Sequence, residues 1–149
     1  MDRLSGTLTG MPLGQTIPAL PVRDTAAAVA CYRDTFGFTV IHQDAGFAVL
    51  LRDAAEVHLW EAGDDSWQRR ASLERPVRSG AESFLAGTAS CRIAVDDVDA
   101  LYDELRAAGV LHYADPGAPA DTDHGTREFA TTDVDGNLIT FYRRVRPRG

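Results

Sequence analysis

The chain has no lysine, only two cysteines and no long apolar run. Because a helix needs roughly 20 consecutive apolar residues to cross a bilayer, the sequence predicts no membrane partner. Cys31 and Cys91 are too few for a disulfide framework, and neither stands in a Cys-x-x-Cys or histidine-rich spacing. Both are therefore interpreted as small buried apolar residues and not as nucleophiles or metal ligands.

The first residues also lack the apolar segment of a signal peptide, and this absence favours a cytoplasmic location. Residues 1–15 are rich in Gly, Thr and Leu without any period, and we expect them to form a disordered tail. At 149 residues, 44% of them hydrophobic, the chain is long enough for one core and too short for two ordinary domains. A single domain is therefore predicted over residues 16–145.

The formal net charge is −7, and all 15 basic residues are arginine. Binding to nucleic acid needs a concentrated basic surface, so this charge argues against a nucleic-acid partner. An acidic surface suits a cationic ligand better. The one basic cluster, residues 143–148, is interpreted as a solvated terminus.

An internal repeat divides the predicted domain into two modules. In each module, a strand runs into an aspartate that can accept hydrogen bonds from the free N–H groups at the start of a helix. These residues are Asp24 and Asp97, and both are interpreted as helix caps. A glycine then closes each helix after about three turns. The repeat predicts modules at about residues 16–62 and 88–145.

Short apolar segments follow each helix and predict three further strands per module. Each module is therefore predicted to have a βαβββ order, which makes the fold class α+β. The strands after the helices are predicted at residues 39–42, 46–51 and 56–61 in the first module and at 111–114, 126–131 and 138–142 in the second. Between the modules, residues 63–87 are polar and rich in turn-forming residues, and they are predicted to be a linker with a short helix from Trp67 to Leu73.

The most informative motif lies in the last third of the chain. It consists of His124-Gly-Thr-Arg-Glu-Phe129 followed by Asp133-Val-Asp-Gly-Asn137-Leu-Ile-Thr-Phe-Tyr142. Asp135-Gly-Asn137 supplies residues that tolerate a left-handed turn, so the motif predicts a β-hairpin. It resembles the vicinal oxygen chelate superfamily, which includes glyoxalases, extradiol dioxygenases and bleomycin-resistance proteins. The Gly-x-Arg-Glu-Phe block is most similar to the bleomycin-resistance branch.

This resemblance implies that the two modules form a curved mixed sheet around a shared cavity. It also implies a homodimer with two grooves at the subunit interface, each built from both chains. In metal-dependent members, ligands come from the first, fourth, fifth and last strands, at positions that are Ile17, His58, Ser90 and Thr140 in this sequence. Only His58 suits a divalent metal, and a catalytic ion typically needs about three protein ligands. We therefore expect no metal and no cofactor.

Strand alternation and the resemblance together predict which side chains line the cavity. The candidate ligand-binding residues are Phe47, His58, Trp60, Ser90, Arg92, His124, Thr140 and Tyr142, and the candidates for an acidic groove are Asp44, Glu61, Asp64 and Asp65. Packing alone also accounts for Phe47, His58 and Trp60, so both interpretations stay open. His124 occupies a position where the bleomycin-resistance branch usually has tryptophan. Arg127 and Glu128 are interpreted as ion-pairing residues of the ribbon.

The leading hypothesis is a protein that binds and sequesters a bleomycin-like cationic, aromatic antibiotic without chemical turnover. Flat aromatic surfaces would hold the heteroaromatic part of the drug, and carboxylates would hold its positive tail. No catalytic residue is predicted. The alternatives are a metal-dependent lyase, isomerase or dioxygenase of the same superfamily, a carrier of another aromatic small molecule, and a purely structural dimerisation module.

Overall fold

The computed structural model of the protein describes residues 10–62 and 85–145. Residues 10–15 contain no helix or strand, and the rest of the predicted tail lies outside the described residues. Most of the predicted linker, with its helix from Trp67 to Leu73 and the acidic candidates Asp64 and Asp65, also lies outside them. In the part of the chain that the structure describes, no helix is both long and apolar enough to cross a bilayer.

The first module has the predicted order of one strand, one helix and three strands. Its elements are β1 (Ala19–Val22), α1 (Thr25–Asp34), β2 (Thr39–Gln43), β3 (Phe47–Arg52) and β4 (Ala55–Glu61). The sheet order is β1-β4-β3-β2. β1 lies parallel to β4, whereas β2, β3 and β4 form an antiparallel ribbon.

The second module repeats this arrangement. Its elements are β5 (Ser90–Ala94), α2 (Val98–Ala108), β6 (Ala120–Asp121), β7 (Thr126–Thr132) and β8 (Leu138–Arg144). The sheet order is β5-β8-β7-β6, with β5 parallel to β8. The predicted α+β class with two βαβββ modules is therefore confirmed. Among the described residues the strands form two mixed four-stranded sheets, and neither closes into a barrel.

One strand of the second module is not where the sequence predicts it. The prediction of a strand at residues 111–114 is wrong, because only Leu111 pairs there, as an isolated bridge to Thr131. The fourth strand is instead β6, which lies in a loop rich in Pro, Gly and Ala. β6 pairs with β7 through Ala120 and Asp121, so the neighbouring strand and not the local sequence determines its conformation.

Both helices begin at the predicted caps. The Asp24 carboxylate accepts hydrogen bonds from the backbone N–H groups of Ala26 at 2.9 Å and Ala27 at 3.3 Å. The Asp97 carboxylate accepts one from the N–H of Ala100 at 3.0 Å. Each cap satisfies donors that have no partner within the helix, a contribution of about 1 kcal/mol to the stability of a helix.

A single hydrophobic core joins the two modules. α1 packs on β3 and β4, while α2 packs on β7 and β8. The rings of Phe36, just beyond α1, and Phe141, in β8, lie 6.3 Å apart and connect the two halves. Tyr32, Phe36 and Leu105 are fully buried, and each large apolar side chain contributes roughly 1.5–3 kcal/mol when it is removed from water.

Hydrogen bonds from the turn between β7 and β8 connect the two modules. The buried Asn137 side chain donates to the carbonyl of Pro21 in β1 at 2.9 Å and accepts from the N–H of Ala89 at 3.0 Å. Asp133 accepts from the Tyr32 hydroxyl of α1 at 2.8 Å and from the Asn137 amide at 3.0 Å. The sequence predicts only a backbone role for Asn137 in the turn, but its side chain connects three segments of the chain.

Candidate functional site

The face of the first sheet that points away from α1 carries a cluster of aromatic rings. Phe47 and Trp60 are directly paired across β3 and β4, and Val49 is paired with His58. The Phe47 and His58 rings meet edge to face with centroids 5.2 Å apart, and the His42 ring lies 6.2 Å from that of Phe47. We call His42, Phe47, His58 and Trp60 the aromatic patch. As predicted from strand alternation, His58 and Trp60 share this face, while Val57 and Leu59 are buried on the other.

Two carboxylates flank the aromatic patch. The Glu56 carboxylate lies 2.8 Å from His58 Nε2, and the Asp44 carboxylate lies 2.9 Å from His42 Nε2. Hydrogen bonds from His42 and from the N–H of Gly46 hold the pKa of Asp44 below its usual range. The patch therefore combines flat rings with negative charge, which is the chemistry that attracts an aromatic cation.

The expectation for Glu61 is not met. Its side chain lies on the face of the sheet that bears the helix, where it accepts a hydrogen bond from the Thr25 hydroxyl at 3.4 Å. Glu61 follows Val57 and Leu59 in the alternation of β4, so it shares their direction. Glu56 occupies the concave side instead, and its position two residues before His58 is the signal in the sequence that would have identified it.

The corresponding face of the second sheet carries a charged cluster. The Arg92 guanidinium donates to the Glu128 carboxylate at 2.6 Å and lies over the Tyr142 ring, 4.8 Å from its centroid. The Thr126 hydroxyl donates to the same carboxylate at 2.8 Å. The bonds from Arg92, and after them the Thr126 bond, hold the pKa of Glu128 below its usual range. We call Arg92, Thr126, Glu128 and Tyr142 the ionic patch.

The remaining candidates of the second module lie around the ionic patch. Thr140 is buried and pairs with Arg92 across β5 and β8, whereas Ser90 is exposed at the start of β5. His124 is exposed in the turn before β7, with Nε2 3.8 Å from the Glu128 carboxylate. The imidazole at position 124 therefore lies beside the patch but offers little stacking area.

Arg127 belongs to the scaffold and not to the patch. It points to the opposite face of β7 from Glu128, and it donates to Asp99 of α2 at 2.8 Å and to Asp121 of β6 at 3.1 Å. These ion pairs join α2, β7 and β6. Arg127 and Glu128 are thus both ion-pairing residues, but they form separate ion pairs on opposite faces of β7.

The aromatic and ionic patches do not meet within one chain. Among the described residues, the hydrogen bonds, ion pairs and ring contacts between the modules connect the β1–α1 segment with the β7–β8 turn, Arg52 at the end of β3 with Glu104 of α2, and Phe36 with Phe141 of β8. None of them joins a residue of the aromatic patch to one of the ionic patch. The candidate ligand-binding residues thus form two groups, one on each module, and a single copy of the chain does not bring them together.

One cavity lies between the modules but on the helix side. Its volume is about 890 Å³, and it is lined by core-facing residues such as Phe36, Ile93 and Leu101 and bordered by the Arg52–Glu104 ion pair. Of the predicted site residues that the structure describes, only Tyr142 lines this cavity. A second, smaller cavity of about 240 Å³ adjoins the ionic patch and includes Glu128 and Thr140 in its wall.

The residues at the superfamily's metal positions do not fit a metal ion. Among Ile17, His58, Ser90 and Thr140, only His58 offers a strong ligand, and its Nε2 is already paired with Glu56. The described residues contain no group of three His, Cys, Asp or Glu side chains that converge on one point. A hydroxyl and an aliphatic side chain cannot replace carboxylate and imidazole ligands.

The two cysteines lie at the edge of the core. Both thiols are free and half-buried. Burial raises the pKa of Cys91 to about 11 and also raises the pKa of Cys31. A thiol with a raised pKa is a poor nucleophile at neutral pH, so neither cysteine has the properties of a reactive residue.

Comparison with known proteins adds independent evidence. Residues 14–141 match the family model described as the Glyoxalase/Bleomycin resistance protein/Dioxygenase superfamily. A Bleomycin resistance protein of Geobacillus stearothermophilus is 45% identical over 133 residues, which cover 89% of this chain and 98% of the relative. A Bleomycin resistance protein of Staphylococcus aureus matches to the same extent.

Solved structures agree with the fold. A bleomycin-binding protein from bleomycin-producing Streptomyces verticillus, crystallised with copper(II)-bleomycin, superposes with a TM-score of 0.65 and 26% identity, covering 93% of this chain and 100% of that one. The bleomycin resistance determinant encoded on transposon Tn5 gives a TM-score of 0.63 at 23% identity, over 89% of this chain and 98% of that one.

Proposed function

The chain belongs to the glyoxalase/bleomycin resistance protein/dioxygenase superfamily, and within it we propose that the protein binds and sequesters a bleomycin-like antibiotic without chemical turnover. The support from relatives is the 45% identity, over almost their whole length, to proteins named for bleomycin resistance. The observation in the structure that carries the proposal is the aromatic patch with its adjacent carboxylates. A cationic, partly aromatic drug needs both flat surfaces and negative charge.

The concave surfaces favour binding over catalysis. Metal-dependent chemistry requires ligands that Ile17, Ser90 and Thr140 do not supply. His58 is held by Glu56, with no serine, threonine or cysteine within hydrogen-bond distance of it among the described residues. Sequestration needs only affinity, because a drug held by the protein is kept from its target.

We also propose that the working form is a homodimer. The aromatic patch and the ionic patch lie on different modules and do not meet within one chain, so each is half of a groove. A two-fold axis would place the aromatic patch of one protomer opposite the ionic patch of its partner, and the same operation would form a second groove. The ligand would then be held between rings on one side and the Arg92–Tyr142 pair on the other.

Isothermal titration calorimetry with metal-free and with copper(II)-loaded bleomycin tests the proposal. We expect saturable binding at micromolar protein in low salt, with about one drug per chain. Recovered drug should have an unchanged mass after prolonged incubation. Absence of heat with both forms would exclude this drug as the ligand, and a modified product would exclude passive sequestration.

A further inference from the structure

The loop between α2 and β6 presents two stacked rings beside the ionic patch. The rings of His112 and Tyr113 lie 4.4 Å apart with an angle of 29° between their planes. Tyr113 is 95% exposed, more than most other large apolar side chains of the described residues. The backbone N–H of His112 donates to the carbonyl of Ala130 in β7 at 3.0 Å, so the loop that carries both rings is attached to the same sheet as the ionic patch.

The hydrogen bonds of the loop determine which nitrogen of His112 carries the proton. The N–H of Ala114 donates to His112 Nδ1 at 3.0 Å, so Nδ1 must present its lone pair. In the neutral ring the proton then lies on Nε2, which has no hydrogen-bond partner among the described residues. Nδ1 thus orients the imidazole, and Nε2–H can donate to a ligand.

The smaller cavity provides space for a ligand beside this donor. His112 lines it together with Thr140, Glu128 and the apolar side chains of Pro116 and Ala130. Its volume of about 240 Å³ lies below the range of about 300–1,000 Å³ for whole ligand sites. It therefore has the size for one or two fused rings of a larger molecule.

The polar groups around the cavity favour a planar ring that has an acceptor. Glu128 is neutralised by the Arg92 guanidinium and also accepts from Thr126. The other carboxylate of the wall, Asp115, accepts from the Tyr102 hydroxyl at 2.6 Å and from the N–H of Gly117 at 2.9 Å. Nε2–H of His112 can therefore donate to a ring nitrogen of a ligand.

We propose that His112 is the donor of a ligand subsite in this cavity and that Tyr113 positions its imidazole by stacking. The subsite takes a planar heteroaromatic group that has a nitrogen acceptor. The subsite itself does not depend on bleomycin as the ligand. Only the identity of the larger molecule that carries the heteroaromatic group rests on the proposed function.

The subsite can be tested separately with benzothiazole, an uncharged fused ring with one acceptor nitrogen. In NMR titrations of isotope-labelled protein, benzothiazole should produce saturable shifts at the His112 ring and at the amides of Ala114 and Ala130. Benzothiophene, which has the same fused shape but no ring nitrogen, should bind about tenfold more weakly, and equal affinity of the two compounds would contradict the Nε2–H donor. Shifts confined to the aromatic patch, or no saturable shift, would overturn the assignment.

Two variants separate ligand contact from loop structure. His112→Asn keeps an acceptor for the Ala114 N–H but lacks both the ring and the Nε2 donor, so it should fold with an unchanged melting temperature and bind benzothiazole about tenfold more weakly. Tyr113→Ala removes the stack and should also weaken benzothiazole binding, whereas Val134→Ala, in the β7–β8 turn, should bind like the unmodified protein. Equal affinity of His112→Asn and the unmodified protein would contradict the proposal.

A bleomycin titration of the same variants distinguishes the two proposals. If bleomycin binds the unmodified protein and His112→Asn equally, the subsite is wrong while sequestration stands. If benzothiazole binds at His112 but bleomycin does not bind, the subsite stands and the proposed drug is wrong.

Discussion

Trp60 provides the largest flat surface of the aromatic patch. It lies half-buried in β4, and its indole N–H donates to the carbonyl of Ala19 in β1 at 3.4 Å, which fixes the plane of the ring. A ring fixed in this way loses little entropy when a ligand stacks on it. The residue should therefore contribute more to affinity than an exposed side chain that must first become ordered.

We expect Trp60→Ala to weaken bleomycin binding by about 1–2 kcal/mol, roughly five- to thirtyfold, and Trp60→Phe to have a smaller effect. Calorimetric titration gives the affinities, and thermal unfolding shows whether each variant remains folded. Val134→Ala is the control, because Val134 is 57% exposed in the β7–β8 turn and belongs to neither patch. Unchanged affinity of a folded Trp60→Ala variant would remove the aromatic patch from the site.

Cys91 should make the protein sensitive to alkaline pH. Burial raises the pKa of its thiol from 9.0 to about 11, so the folded state keeps the proton in a range where the unfolded chain has lost it. The contribution of Cys91 to stability is complete below pH 9 and is lost as the pH rises toward about 11. Tyr32, whose pKa burial raises well above 10, adds to the loss at higher pH.

Urea unfolding at several pH values between 8 and 11 measures this effect. Cys91→Ala should be less stable at every pH, because packing is lost, but its stability should fall less steeply between pH 9 and 11. Thiol titration should also show slow modification of the folded protein at pH 8. An identical pH dependence for both proteins would contradict the buried environment of the thiol.

The sequence predicts the direction of a side chain well where a strand alternates regularly. Val57, His58, Leu59 and Trp60 have the predicted directions because each apolar residue that packs on the helix fixes its neighbours to the other face. The charge of Glu61 favours the groove, but the same alternation places it on the helix side. By contrast, the ion pair between Glu128 and Arg92 depends on the pairing of β5 with β8, which the local sequence does not determine.

Among the elements, the segment that enters β5 is the most tightly constrained. It passes the β7–β8 turn so closely that a Cβ atom on Gly87 would lie 2.0 Å from the backbone oxygen of Asp135. Gly87 also has a φ of +84°, a conformation that other residues adopt only with strain. The approach is close because Asn137 holds this segment through the N–H of Ala89.

We expect Gly87→Ala to lower the free energy of unfolding by about 3 kcal/mol or more. Gly109→Ala is the matched control, since Gly109 has a φ of +78° but a Cβ atom added there would have no neighbour within 4 Å. That variant should cost only the backbone strain, about 1–2 kcal/mol. Urea unfolding of both variants gives the comparison, and equal losses would mean that the module junction can move to accommodate a methyl group.

The sequence predicts the bounds of an element to within about two residues when the element has a sequence pattern of its own. It does not predict elements that form only by pairing with a neighbouring strand. The helix caps at Asp24 and Asp97 and the hairpin of β7 and β8 have local signals and lie where the sequence places them. β6 has none, because two residues in a loop form a strand only when a neighbouring strand offers its edge. The predicted strand at residues 111–114 fails for the same reason, since only Leu111 finds a partner.

At the scale of the whole molecule, the proposed site depends on assembly. The candidate residues form the aromatic patch and the ionic patch, which lie on separate modules of one chain without contacting each other. The sequence cannot reveal whether the two patches of one groove belong to the same chain or to two chains, because the local sequence pattern is the same in both cases. The proposed homodimer therefore makes a prediction that an intrachain groove does not make.

Mixing two defective variants distinguishes these arrangements. Trp60→Ala impairs the aromatic half of each groove, and Tyr142→Ala impairs the ionic half, so each variant alone should bind bleomycin weakly. If grooves form between protomers, a mixed dimer has one groove with both defects and one groove with neither. Unfolding and refolding an equal mixture should then restore full affinity in about one in four grooves.

Calorimetric stoichiometry measures this restored fraction, and light scattering after size-exclusion chromatography establishes that the refolded mixture is dimeric. A mixture that was not unfolded is the control, because its protomers have not been exchanged. If the refolded mixture is dimeric and shows no high-affinity binding, each chain must build its own groove. That result would mean that the two patches close on each other within a protomer when the ligand binds.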